Sequence, residues 1–341
     1  MDQVLDEAPQ EYSQKIVTAD LETLAKTQAA VAPDTKALGP GPSKTLGQGA
    51  AKTSTARSES KKTVKKTLPE ATPPQAMPST KAPLTLSWPL TLGEKSSYSL
   101  RWGVIEGGVA TVEVKAPQII EGVPALHYSG VVKSSKMMDL FYKINNSIDT
   151  WVRLSDLAPV RQEIVQNESA RFGRRVMVMD HEKKEVKFYE HLTKTKGGVK
   201  EDKRTDNMTL GAQDIFGALY FYRFVQTVEG AYKYPIHDKG KNWFAELRFE
   251  GQETLRVPAG VFKAKRYKVA PRLEGQLKPR GDVVVWVSDD ERSLLLKFNA
   301  KIKVGSVTGE LIEHTPGQPI MLDIPHPLTS VEPLETKTVR N

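Results

Sequence analysis

Between residues 86 and 312 apolar and polar side chains alternate in short runs, and the alternation predicts strands. Tyr98, Leu100, Trp102 and Val104 share one face of a first strand. Gly107-Gly108 is expected to turn the chain, with Ala110, Val112 and Val114 on the next strand. Glu121-Gly122-Val123-Pro124 leads into a strand carrying Leu126, Tyr128, Gly130 and Val132. Further strands are expected near 143–152, 159–166, 174–180, 185–191, 243–250, 252–257, 261–269, 282–287, 294–302 and 303–312, while 136–142 is ambiguous with a helical turn. The period changes once, at residues 213–223. Ile215, Ala218, Leu219, Tyr222 and Val225 recur at steps of three and four, as one face of a helix does. Gln213 and Asp214 stand where a first turn wants an acceptor and a negative charge. Gly217 inside that helix costs about 1 kcal/mol against alanine, so close packing against a strand is expected there. The fold class is mainly β: an antiparallel curved sheet, either a half-open barrel or a sandwich, closed on one face or end by one amphipathic helix.

The pattern fails outside this region. Residues 10–32 are weakly helical, and 33–83 are rich in Ala, Pro, Ser, Thr and Lys with little to bury. Prolines recur after Thr315. The expected organisation is a disordered tail and spacer over 1–85, a β-rich domain over 86–312 and an irregular tail over 313–341. Hydrophobic residues make up 39% of the chain, and the shortfall lies mostly in the N-terminal tail. The formal net charge is +8, yet residues 44–81 hold eight Lys or Arg against two Glu. The β-rich part is therefore nearly balanced and is not expected to bind nucleic acid. The basic spacer is either a self-repelling linker or a contact for an anionic membrane surface. There is no cysteine, which excludes disulfides, thiolate metal sites and thiol nucleophiles. No run of 18 apolar residues spans a bilayer, and Met1–Glu7 shows no signal peptide or membrane anchor.

The search for chemistry finds little. Six histidines include no helical metal-ligand pair. His181 and His191 could face each other across a hairpin beside Asp180 and Glu190, or be plain solvated positions. Asp289-Asp290-Glu291 is either a carboxylate pair or a polar turn between strands. There is no P-loop or nucleophile elbow, and neither metal nor cofactor is expected. The aromatics remain. Trp102, Tyr220, Tyr222, Trp243 and Trp286 could line an apolar groove, with Arg223 meeting an anionic head, or they could simply be core.

Four motifs in order carry a resemblance. Leu92-Gly93-Glu94 with Tyr98, Trp102 and Gly103-Val104-Ile105-Glu106-Gly107-Gly108 comes first. The helix Gln213–Arg223 is second, Gly251-Gln252-Glu253 through Val257-Pro258-Ala259-Gly260-Val261-Phe262 third, and Trp286-Val287-Ser288-Asp289-Asp290 fourth. Together they resemble domain of unknown function family 3108. The resemblance implies an exported Gram-negative protein, expected in the periplasm, with a β-rich fold and no assigned activity. The expected function is a non-enzymatic cell-envelope domain binding a lipid, a glycan or a partner protein. An envelope-polymer-modifying enzyme using Asp289–Glu291, or a structural scaffold, are the alternatives.

Overall fold

The computed structural model describes residues 7–19, 23, 89–225, 231–273, 283–302, 305–320 and 332–333. The proline-rich spacer lies outside the described residues. The first strands are β1 (Ile16–Thr18), β2 (Thr91–Leu92), β3 (Lys95–Trp102), β4 (Ile105–Ile120), β5 (Val123–Ser134) and β6 (Asn145–Arg153). A four-residue helix, α1 (Lys136–Asp139), interrupts the β5–β6 connection. Next come β7 (Pro159–Glu168), β8 (Arg171–Asp180), β9 (Glu185–Lys194) and β10 (Val199–Asn207), followed by the helix α2 (Gly217–Val225). The chain returns through β11 (Ala231–Asp238), β12 (Lys241–Val257), β13 (Gly260–Leu273), β14 (Val283–Ser288), β15 (Leu295–Lys301) and β16 (Ser306–Thr315). The short β17 (Gln318–Pro319) pairs with β2, and β18 (Glu332–Pro333) pairs with β11.

Sixteen of these strands form one antiparallel sheet in the order β10-β9-β8-β7-β6-β5-β4-β3-β16-β15-β14-β13-β12-β11-β18, with β1 on β4. From β3 to β10 and from β11 to β16 each strand pairs with its sequence neighbour, and the two meanders meet at the join of β3 and β16. Among the described residues the sheet does not close into a barrel: its edge strands β10 and β18 share no ladder. It curls instead, because the main core cluster unites Val114, Leu126, Tyr128 and Val152 from β4–β6 with Tyr234, Ala245, Leu247, Tyr267 and Val287 from β11–β14. Between them lies α2. A second cluster, with Tyr98, Val257, Leu296 and Leu311, fills the sheet where β3 and β16 meet.

Several departures from the sequence reading have plain causes. The β3–β4 turn falls at Gly103-Val104, since Gly103 adopts φ 58°. Gly107 and Gly108 are already inside β4, where a side chain at Gly108 would meet the backbone of Lys133. The segments 243–250 and 252–257 are one strand, β12, with a bulge between Phe249 and Gly251. Strand β10 has no apolar face to recognise; its residues VKEDKRTDN form a charged outer edge, a composition that discourages pairing with other chains. The last strand runs to Thr315 and the short pairing of β17 follows, so the chain beyond residue 312 is ordered there and Ile320 is buried.

The largest departure is at the N-terminus. Of the segment 10–32 expected to be weakly helical, residues 10–12 form a 3-10 turn, residues 16–18 pair with the far end of β4 beyond the reach of β3, Thr23 is helical, and residues 20–22 and 24–32 lie outside the described residues. Tyr12 packs on Tyr189 with ring centroids 5.3 Å apart, and Arg161 donates to the Tyr12 carbonyl at 2.7 Å. Ile16 joins Ile120, Ala125, Trp151 and Val160. The described part of the presumed tail is thus a strap across the outer face of the first meander.

Close packing of α2 on the sheet can be tested at Gly130 on β5. A Cβ there would lie 2.8 Å from the Phe216 ring and 2.9 Å from the Ile148 side chain. Gly130→Ala is expected to cost about 1–3 kcal/mol, read from the midpoint of urea unfolding at unchanged slope.

Candidate functional site

Both ends of α2 are fixed by buried polar side chains. At its start, Asp214 Oδ1 accepts the backbone N–H of Phe216 and of Gly217, each at 2.8 Å, as an N-cap does. The same oxygen accepts from Gln162 Nε2 on β7 at 2.6 Å and from Thr150 Oγ1 on β6 at 3.2 Å. Gln213 bridges to the other meander: its N–H donates to the Pro235 carbonyl, and its own carbonyl accepts from His237 N–H. Gly217 is explained here rather than by a strand. A Cβ would come within 3.3 Å of Asp214 Oδ2 and 3.4 Å of Gln213 Oε1.

At the other end, Arg223 is buried and forms a two-pronged pair with Glu94, Nη1 to Oε1 at 2.5 Å and Nη2 to Oε2 at 3.2 Å. Its Nε donates to the Arg292 carbonyl at 2.8 Å, and Nη2 also donates to the Pro89 carbonyl. Tyr222 donates its hydroxyl to the Ser293 carbonyl at 2.9 Å. The helix C-terminus therefore holds the β2–β3 turn and the β14–β15 turn together. Tyr220 stacks on Tyr128 with centroids 4.1 Å apart. Burial raises the Tyr220 and Tyr222 hydroxyls well above their ordinary value, so both stay neutral.

The six aromatic and arginine candidates do not meet in one groove. Tyr220, Tyr222 and Arg223 are core. Trp102 is partly exposed at the end of β3, where a side chain at Gly305 would crowd its indole. Trp243 lies on β12, in register with Ile236 of β11 and Leu273 of β13. Trp286 packs against the second core cluster and donates Nε1 to Glu253 at 2.5 Å. The expected helical face is corrected as well: Ile215 and Leu219 are exposed, whereas Phe216, Tyr220, Phe221 and Phe224 are buried. A helix apolar on nearly every side has no single inward stripe to read.

His181 and His191 are not brought together. His181 is buried in the β8–β9 turn with Nε2 2.7 Å from the Pro159 carbonyl, while His191 pairs with Arg174 along the ladder. The 289–291 carboxylates build the β14–β15 turn. Asp290 Oδ1 accepts from Ser288 Oγ at 2.8 Å, and from the backbone N–H of Arg292 and of Ser293 at 3.1 and 3.2 Å. Burial would raise the Asp290 carboxyl, but the Arg292 and Ser288 hydrogen bonds outweigh it and hold it below its usual range. Asp289 pairs with Lys265 at 2.8 Å.

A concave surface does exist, on the face of β3–β5 turned away from α2. There a trough of about 280 Å³ is lined by Lys95, Lys115 and Lys133, by Val109 and Val131, and by Glu113 with Thr111 and Ser129. Glu113 pairs with Lys115 at 2.9 Å, leaving a positive excess. Bulges between Leu100 and Arg101 and between Lys115 and Gln118 bend the strands at either end of this stretch. Outward positions of a strand are polar by default, so the sequence carried no signal that these would line a hollow.

Two stability effects follow from the helix clamps. Arg223→Met is expected to cost about 3–5 kcal/mol in urea unfolding, because it strands the Glu94 carboxylate in the core; adding Glu94→Leu should restore much of the loss. Asp214 behaves differently. Desolvation raises its carboxyl from 3.8 to about 6 despite the four donors on Oδ1. The native state thus holds a proton that the unfolded chain releases, and stability falls as pH rises from 3.8 to about 6. Asp214→Asn keeps the cap acceptor and removes that slope, so its stability relative to the native chain should climb across the window and then level off.

The model of the family described as a protein of unknown function, DUF3108, matches residues 97–312. Among functionally curated proteins none matches. Similar solved structures include a β-barrel-like protein of domain of unknown function DUF1849 from Brucella abortus, at 11% identity and a TM-score of 0.42, covering 67% of this chain and 98% of that one. A candidate lipoprotein from Parabacteroides distasonis is 10% identical with a TM-score of 0.30, over 67% and 99% of the two chains. A candidate exported protein with a YmcC-like fold from Bacteroides fragilis is 8% identical with a TM-score of 0.31, over 68% and 99%. With a family match that begins at Ser97 in β3 and closes at Ile312 in β16, so taking in both meanders and the helix between them, this chain belongs to the DUF3108 family.

Proposed function

We propose that this chain is a non-enzymatic cell-envelope domain that binds an amphiphilic component with an anionic head on the outer face of β3–β5. The observation that supports it is the trough, which sets three lysines beside two valines in one hollow. An anionic head next to a short apolar stem matches that lining in both respects. On the concave side, α2 and its stacked aromatics pack against the strands. On the outer face of the first meander, the N-terminal strap covers parts of β4–β9.

The periplasmic location is part of the same proposal. It comes from what the family resemblance implies, and among the described residues no helix is long and apolar enough to cross a membrane.

Titration calorimetry of the full chain with short-chain phosphatidylglycerol below its micellar concentration tests the site. Saturable binding is expected, about tenfold weaker in Lys95→Gln/Lys115→Gln and much weaker for the phosphatidylcholine counterpart. Equal heats for both lipids, or none, would remove the site. Recovery of the native chain in the cytosolic fraction of its own cells would remove the location.

A further inference from the structure

Exposed large apolar side chains gather at one end of the sheet. The β3–β4 turn presents Val104 at 99% exposure, and the β5–β6 loop presents Leu140 at 82% and Phe141 at 79%. Met137, Ile105 and, on the β15–β16 turn, Ile302 are exposed around them. Single exposed apolar residues are ordinary, but a set shared by three adjacent loops is not.

The loops are held side by side. Ser135 N–H donates to the Gly107 carbonyl at 3.0 Å, and Ser135 Oγ donates to the Glu106 carbonyl at 2.9 Å, joining the β5–β6 loop to the start of β4 just after the β3–β4 turn. Gly103 N–H donates to the Ser306 carbonyl at 3.1 Å, joining that turn to the next. Ser135 also caps α1 by accepting from Met138 N–H at 3.1 Å. The apolar tips are therefore presented from a braced base.

The charge around them has one dominant sign. Lys133, Lys136, Lys143 and Lys301 are exposed on these loops and their flanks, against Glu106 and Asp139. Arg101 is paired with Glu310 at 2.8 Å. Trp102, partly exposed at the base, is the amphipathic residue that suits a membrane–water boundary.

We infer that this rim is a membrane-docking surface. Val104, Leu140 and Phe141 enter the boundary between headgroups and acyl chains, while the four lysines meet anionic headgroups. Tips that project separately suit a deformable lipid surface better than the flat face of a folded partner, which would leave gaps between them. The inference does not depend on the trough, and its test separates the two.

The full chain is sedimented with vesicles of phosphatidylcholine alone and of phosphatidylcholine mixed with phosphatidylglycerol. Binding to the anionic vesicles is expected, weakening as salt rises. Leu140→Ser/Phe141→Ser should weaken it about tenfold or more at an unchanged melting temperature, because both side chains are exposed in the free protein. Lys136→Gln/Lys143→Gln should weaken it and flatten the salt dependence. Lys95→Gln/Lys115→Gln should leave vesicle binding intact even if it abolishes binding of the short-chain lipid. Three results would overturn the inference: no sedimentation with anionic vesicles, full binding by Leu140→Ser/Phe141→Ser, or a homodimer in analytical ultracentrifugation that this variant dissociates while vesicle binding stays unchanged.

Discussion

A sheet of sixteen strands that curls without closing must fill its own concave side, and here a nine-residue helix does so. Apolar residues on nearly the whole circumference of α2 meet strands from both meanders, and full burial of each large side chain contributes roughly 1.5–3 kcal/mol. Because the helix touches both halves, their relative placement depends on it. A displaced helix would uncover Tyr128 on one side and Tyr234 on the other.

Polar groups then decide how the helix is seated. Asp214 anchors its start to β6 and β7, and Arg223 anchors its end to the β2–β3 and β14–β15 turns. Neither arrangement is the cheapest way to gain stability, since a buried ion pair costs desolvation that its attraction only partly offsets. What the pair contributes is position. The fork of Arg223 accepts one placement of Glu94 and two carbonyls, so the segments that carry them cannot slide.

The outer face is divided: the strap from residues 8–18 covers one region, the trough on β3–β5 stays open, and the apolar loop tips stand at one end. Val109 and Lys133 lie in the trough and near the rim at once, so an amphiphile held in the one would be close to a surface touched by the other.

Alternation in the sequence was enough for the antiparallel sheet, because a strand with one buried face writes its period into the chain, as Leu126, Tyr128 and Val132 do. A helix expected at residues 213–223 and found at 217–225 was legible from the change of period, and Asp214 from its place before the first turn. Strand β10 was not, since an edge with charges on both faces has no period to read. Nor was the inward face of α2, because its apolar residues, buried Tyr220, Phe221 and Phe224 and exposed Leu219 alike, leave no polar side to mark the outward one. The strap depended on Tyr12 finding Tyr189 and Arg161, contacts across some 150 to 180 residues of sequence. Glu94 was visible as part of a motif, yet nothing local marks it as the partner of Arg223, 129 positions away. Which aromatics are core and which are rim was settled only by curvature: Tyr220 and Phe141 are both large and apolar, and what separates them is whether the sheet wraps around the place where each one falls.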